Sequence, residues 1–328
     1  MKRVVLLAVA ALLATITTGC GGIAVGGPAA AGGDAPAAQR TPLQALNGPE
    51  AVAPLAVPLQ LRPRAAGAPP MRTPLKKLPR AGLVADLDTG EILWSHAATR
   101  DLPIASVTKL MTGLIVAAQA RPTERVRISR KAVAAQGSRV GLLPLYKKVQ
   151  LETMLYGLML PSGNDAAIAL AEHVAGDVDD FVALMNAQAR ALGLTCTRFG
   201  SPSGFEEVRF QRQAQNRSCA TDLAVLARAV LDRPRLARIV RTTDAVRPFP
   251  IKGGRLYLHN HNPLLRDRYP GTLGLKTGYT DAAGRTFVGA AQRGGRRLVV
   301  VLLHTPDIGR QAEALLNAGF RALGVPTR

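Results

Sequence analysis

Gly82-Leu-Val-Ala-Asp-Leu87, Asp88-Thr-Gly90 and Glu91-Ile-Leu-Trp-Ser-His96 read as two strands joined by a glycine-containing turn. A second hairpin stands near the other end of the chain, where Thr286 to Arg293 and Arg297 to His304 flank Gly294-Gly295. Between the two hairpins, apolar residues recur at spacings of three and four in Ser106 to Ala120, Leu151 to Leu160, Asp165 to Val174, Asp180 to Leu192 and Asp222 to Leu231. These segments predict helices, and a last helix is expected over about Ile308 to Leu323. Strands at both ends with helices between them predict an α/β fold. Its single antiparallel sheet is built from both ends of the domain and packed by helices, and a helical subdomain is inserted. A cleft between the sheet edge and the insert is where a site is expected.

Outward from the first hairpin, Gly21 to about Pro79 is rich in Ala, Pro and Gly and shows no sustained period. Such a stretch buries too little apolar surface to offset its ordering entropy, so 21–79 is expected to be a disordered linker. Ahead of it, Met1-Lys2-Arg3 and the apolar run Val4 to Ile16 have the order of a secretory signal and are too short to span a bilayer. The expected organisation is a signal at 1–20, the linker at 21–79 and one catalytic domain at 80–325. Thr17-Thr-Gly-Cys20 resembles a lipoprotein processing site, although Thr17 stands where an aliphatic residue is usual. Two fates stay open for Cys20: lipidation, or removal with the signal.

The formal net charge of +20 invites a nucleic-acid reading, but Lys and Arg are spread along the chain and aromatics are only 4% of it. With export expected, an anionic wall polymer or a membrane surface suits that charge better than nucleic acid does, and a codon bias toward Arg and Ala accounts for it equally. The same export makes a disulfide between Cys196 and Cys219 the favoured reading over two reduced thiols. The five His residues contain no His-Glu-x-x-His, so no metal site is expected; His259 and His261, beside Pro263, read as structural or exposed.

Three short signals carry chemistry. Ser106-Val-Thr-Lys109 puts a hydroxyl and an amine on one face of a helix start, where an amine of depressed pKa can take the serine proton. Pro161-Ser-Gly-Asn164 lies between two helices, where Ser162 can relay a proton and Asn164 can bond a peptide. Lys276-Thr277-Gly278-Tyr279 precedes the last hairpin as a cleft-lining edge strand. Its cation and hydroxyl suit a carboxylate, its glycine admits a close ligand, and the Tyr279 amide is expected to pair with that of Ser106 as an oxyanion hole. Singly each has a bland alternative: a capped helix start, an interhelical turn, a basic strand edge. In this order together they are specific.

Ile104-Ala-Ser-Val-Thr-Lys-Leu-Met-Thr112, Leu160-Pro-Ser-Gly-Asn-Asp-Ala-Ala167 and Gly274-Leu-Lys-Thr-Gly-Tyr-Thr280 resemble the low-molecular-mass D-alanyl-D-alanine carboxypeptidases, from about Ala81 to Phe320. The resemblance implies the serine β-lactamase and penicillin-binding fold. It implies Ser106 as nucleophile, Lys109 as its base, Ser162 and Asn164 as the second element and Lys276 to Gly278 as the third. Peptidoglycan stem peptides are the implied substrate and β-lactams the implied inhibitors, with no cofactor. A DD-endopeptidase acting on cross-links remains the alternative within this chemistry. A class A β-lactamase is disfavoured, because Gly163 stands where that class has Asp and no Glu-x-x-x-Asn follows. A non-catalytic wall-binding or antibiotic-sensing protein fits less well, since every expected catalytic residue is present. Glu206 and Glu207 read as solvated loop acids. Only residues 279–328 follow the third motif, whereas many members continue into a β-domain and an anchoring helix, so any anchor is expected at the N-terminal end.

Overall fold

The computed structural model describes residues 54, 56–68, 70–205, 215–251 and 253–326. The signal segment, Cys20, Glu206 and Glu207 lie outside the described residues. In chain order, β1 (Arg62–Pro63), β2 (Ala81–Asp86), β3 (Glu91–His96) and β4 (Leu102–Pro103) lead into a 3-10 turn, Ala105–Thr108, that runs straight into α1 (Lys109–Gln119). β5 (Arg125–Arg127), α2 (Arg130–Val133), β6 (Lys148–Gln150), α3 (Leu151–Met159), α4 (Asn164–Ala175) and α5 (Val178–Ala191) follow. Next come β7 (Arg217–Ser218), α6 (Ala220–Leu231), α7 (Pro234–Val240), β8 (Asp244–Pro248), β9 (Arg255–His259) and α8 (Pro263–Arg266). The chain then completes the sheet with β10 (Thr272–Thr280), β11 (Gly284–Arg293) and β12 (Arg296–Thr305), and α9 (Ile308–Ala322) comes last.

The main sheet has the order β1-β3-β2-β12-β11-β10. The two hairpins meet at an antiparallel seam where Val84 faces Val300 and Leu83 faces Val301. Period-2 alternation sends Leu83, Ala85, Val299, Val301 and Leu303 to the side of the inserted helices. Val84, Leu298, Val300 and Leu302 go to the side covered by α9. Because both faces are covered, Leu298 to Leu303 is an unbroken buried run. Asp307 caps α9 by accepting from the Gly309 and Arg310 amides. Helix α1 buries Leu110, Met111, Leu114 and Ile115 in the main core. Cys196 and Cys219 are joined as a disulfide with Cα atoms 5.6 Å apart. Among the described residues, no helix is long and apolar enough to cross a membrane.

The linker expected up to Pro79 needs correcting at its distal end. β1 pairs in parallel with β3, Arg64 meets Glu91 at 3.2 Å and donates to the Ala322 carbonyl at 2.8 Å. Leu59 and Leu61 pack on the main core, and Met71 is buried with the α9 cluster. The apolar residues of this strap are too sparse to show a period, yet a preformed surface accepts them, and the strap covers a sheet edge that would otherwise be open. Gly90 is required beneath it: its φ is +76°, and a Cβ would stand 1.9 Å from the Gln60 carbonyl oxygen.

Candidate active site

The nucleophile turn is built by local geometry. Ala105 adopts φ +48°, the 3-10 turn follows, and α1 begins at Lys109. Three residues on, the Lys109 Nζ lies 2.9 Å from the Ser106 Oγ. Lys109 is fully buried, and its Nζ also donates to the Asn164 Oδ1 and the Ser203 carbonyl, both at 2.7 Å. The Asn164 amide cannot be turned around, because its Nδ2 donates to the Gln136 carbonyl at 2.6 Å. A neutral amine has two N–H bonds and one lone pair. In that form, with the two pure acceptors taking the hydrogens, the lone pair is left for the Ser106 hydroxyl. Burial, and then the nearby Lys276, hold the Lys109 pKa well below the usual lysine range, against a smaller opposing pull from Asp165, which moves the balance toward the neutral amine.

Asn216 braces the loop just ahead of Ser203. The Asn216 Oδ1 accepts from the Gly200 and Ser201 amides, and its Nδ2 donates to the Ser201 carbonyl and the Thr108 hydroxyl. On the other side, the Asp165 carboxylate accepts from the Val140 and Gly141 amides, and the Asn164 amide donates to the Ser138 carbonyl at 2.7 Å. The loop after α2 is thereby pinned to the rim of the site.

Ser162 joins α3 to α4 with φ +66°, and its buried hydroxyl has no hydrogen-bond partner among the described residues. A left-handed non-glycine residue carrying an unsatisfied buried hydroxyl is costly in both respects. Its place in the cleft accounts for it: a bound ligand can supply the missing partner.

β10 is the sheet edge, as expected, and it passes tightly against the nucleophile turn. A Cβ on Gly278 would stand 2.5 Å from the Thr286 Oγ1, 2.9 Å from the Ser106 amide nitrogen and 3.0 Å from the Ile104 carbonyl oxygen. The Thr286 hydroxyl donates to that carbonyl at 3.1 Å, stitching β11 to the turn. Lys276 is buried one residue from the cleft wall, donates to the Thr277 carbonyl at 3.1 Å, and is brought by burial to a pKa of about 7.

Ser106, Ser162, Thr277, Gly278 and Tyr279 line one cleft of about 390 Å³, and Lys109, Asn164 and Lys276 stand buried behind it. The structure thus brings all eight expected site residues to one neighbourhood. The cleft wall also contains Ser138, His261, Arg285 and Ile308, which the motifs did not identify. His261 corrects the reading of the histidine pair. His259 is exposed and bonds Asp244, whereas His261 faces the cleft, with its pKa lowered by partial burial and then by Lys276 and His259. No sequence pattern marks His261; the turn after β9 puts it there.

A family model described as D-alanyl-D-alanine carboxypeptidase matches residues 74–307. The chain is 38% identical over 244 residues to the D-alanyl-D-alanine carboxypeptidase DacB2 of Mycobacterium tuberculosis, a match covering 73% of this chain and 81% of that protein. It is 32% identical to DacF of Bacillus subtilis over 73% of this chain, spanning 61% of that longer protein. Among solved structures, a D-alanyl-D-alanine carboxypeptidase from M. tuberculosis superposes with TM-score 0.70 at 35% identity, covering 79% of this chain and 96% of that one. The DD-transpeptidase of Streptomyces K15 superposes with TM-score 0.68 at 30% identity, covering 75% of this chain and 100% of that one. Since the matched span begins before β2, ends after β12 and takes in all eight motif residues of the site, the chain belongs to the D-alanyl-D-alanine carboxypeptidase family.

Proposed function

We propose that this chain is a serine carboxypeptidase that removes the terminal D-alanine from peptidoglycan stem peptides, and that it works outside the cytoplasmic membrane. The observation that carries the chemistry is the buried Lys109 amine, held 2.9 Å from the Ser106 Oγ by the Asn164 Oδ1 and the Ser203 carbonyl. Lys109 takes the hydroxyl proton as Oγ attacks the carbonyl of the D-Ala-D-Ala bond. The resulting oxyanion is held by the Ser106 and Tyr279 amides, which the close approach of β10 at Gly278 supports. The proton returns through Ser162 to the departing amine as the C–N bond breaks, leaving an ester on Ser106. Water, activated by the same amine, releases the shortened peptide. Lys276 and Thr277 receive the substrate carboxylate, and Asn164 helps to position the peptide.

β-Lactams act as inhibitors in this reading because they acylate the same hydroxyl. The basic start and apolar run of the N-terminus support export. A second acyl acceptor is supported by the likeness to the Streptomyces K15 DD-transpeptidase: an amine in place of water would yield transfer. The test is D-alanine release from diacetyl-Lys-D-Ala-D-Ala, with and without added glycine, by wild type and Ser106→Ala. Wild type is expected to release D-alanine and the variant to be inert; an active variant would overturn the reading.

A further inference from the structure

The charge of this chain is not evenly distributed over its surface. Between Glu124 and Glu152 there are seven Lys or Arg residues and no Asp or Glu. All seven, Arg125, Arg127, Arg130, Lys131, Arg139, Lys147 and Lys148, are exposed. The two flanking acids are engaged elsewhere, Glu124 with His173 and Glu152 with Arg235. The β5–β6 ribbon sets Arg127 directly opposite Lys148, a like-charge pair that costs stability unless an anion lies over it.

Apolar side chains protrude from the loop that joins α2 to β6. Leu142 is 77% exposed and Tyr146 53% exposed, and Leu145 stands out between them. Leu142 and Tyr146 both have left-handed backbone, at φ +55° and +63°, conformations that L side chains rarely adopt. The Arg127 guanidinium lies over the Tyr146 ring at 5.5 Å. A soluble polyanion has no use for these apolar tips, whereas an interfacial membrane face combines apolar and aromatic tips with a ring of cations.

We propose that the surface formed by β5, α2, the loop 136–147 and β6 docks on a bilayer rich in anionic phospholipid, with Leu142 below the headgroups and Tyr146 among them. The contact is additional to any lipid on Cys20. Ser138, four residues before Leu142, lines the cleft, and the loop is held to the site through Asp165, so docking brings the cleft rim to the membrane surface. The proposal does not depend on the catalytic reading.

The test uses the full chain carrying Cys20→Ser and Leu142→Cys, with the disulfide intact and an environment-sensitive dye on the new thiol. A matched chain labelled through Tyr257→Cys, exposed in the β8–β9 ribbon, serves as control. On phosphatidylcholine vesicles containing phosphatidylglycerol, the Leu142 dye is expected to shift to the blue and be quenched by brominated lipid. On pure phosphatidylcholine it should stay dark, as should the control dye on both. Arg139→Gln, Lys147→Gln and Lys148→Gln together should weaken insertion about 100-fold and leave hydrolysis of a soluble peptide unchanged, which also confirms folding. A dye that never enters lipid overturns the proposal. If soluble polyphosphate binds the same cations while the dye stays dark, the face is a polyanion site and the bilayer assignment is wrong.

Discussion

Asn164→Asp places a negative charge where the Asn164 Oδ1 now accepts from the Lys109 Nζ at 2.7 Å. The shape is conserved, so the perturbation is electrostatic. At that separation a full charge favours the ammonium by about 6 kcal/mol at an effective dielectric near 20, or about four pKa units. Burying the new carboxylate beside the Gln136 carbonyl offsets several kcal/mol of this, leaving a rise of about two units. The sign follows from the role of Lys109. An opposite charge stabilises the protonated amine, so the base is lost at a pH where the wild type still has it, and the acidic limb of kcat/KM moves upward. Below the shifted limb, activity should fall about 100-fold relative to wild type. The assay is the rate of Ser106 acylation by a chromogenic β-lactam as a function of pH. An acidic limb that stays in place while only the plateau drops would refute the assignment of Lys109 as the base.

Two further outcomes are expected. Gly278→Ala forces β10 away from the Ser106 amide by several tenths of an ångström; kcat/KM should fall about 10- to 100-fold with little change in KM for the soluble peptide, as a misplaced oxyanion site demands. Steady-state kinetics check this, and wild-type kcat would refute it. Lys276→Met should stabilise the fold while abolishing turnover. The folded pKa of Lys276 is about 7 and its ordinary value is 10.5. The unfolded chain therefore binds the extra proton between those values, and the penalty for burying this lysine is full below about 7 and fades toward 10.5. Urea midpoints across that range should show the gain of Lys276→Met shrinking as pH rises, and a constant gain would show that the lysine is not buried as a charge.

The hairpins and most helices were legible because their periods are clean. Leu298 to Leu303 reads as a strand in any context, and α4, α5 and α6 show apolar positions three and four apart. The site was legible for a different reason: three short motifs hold their order even though 55 residues separate Lys109 from Asn164 and 112 separate Asn164 from Lys276. Partners supplied by backbone atoms were not legible. The Ser203 and Gln136 carbonyls belong to no motif, since any residue can offer a carbonyl. His261 enters the cleft through a turn, and the strap around β1 lacks periodicity because it docks on a finished surface instead of forming a core of its own. The acid-free stretch from Arg125 to Leu151 stands in plain view but is masked by a high charge counted over the whole chain.

The strap has a mechanical consequence. β1 and β10 occupy opposite edges of the sheet, five interstrand steps apart, or about 24 Å. Tension arriving along the chain ahead of β1 first meets a two-residue pairing, the Arg64 contacts and a few leucine side chains. These yield before β2 does. Once unpeeled, residues 56–79 reach about 80 Å, so under such a load the strap would add that length while the cleft at the far edge of the sheet stays paired.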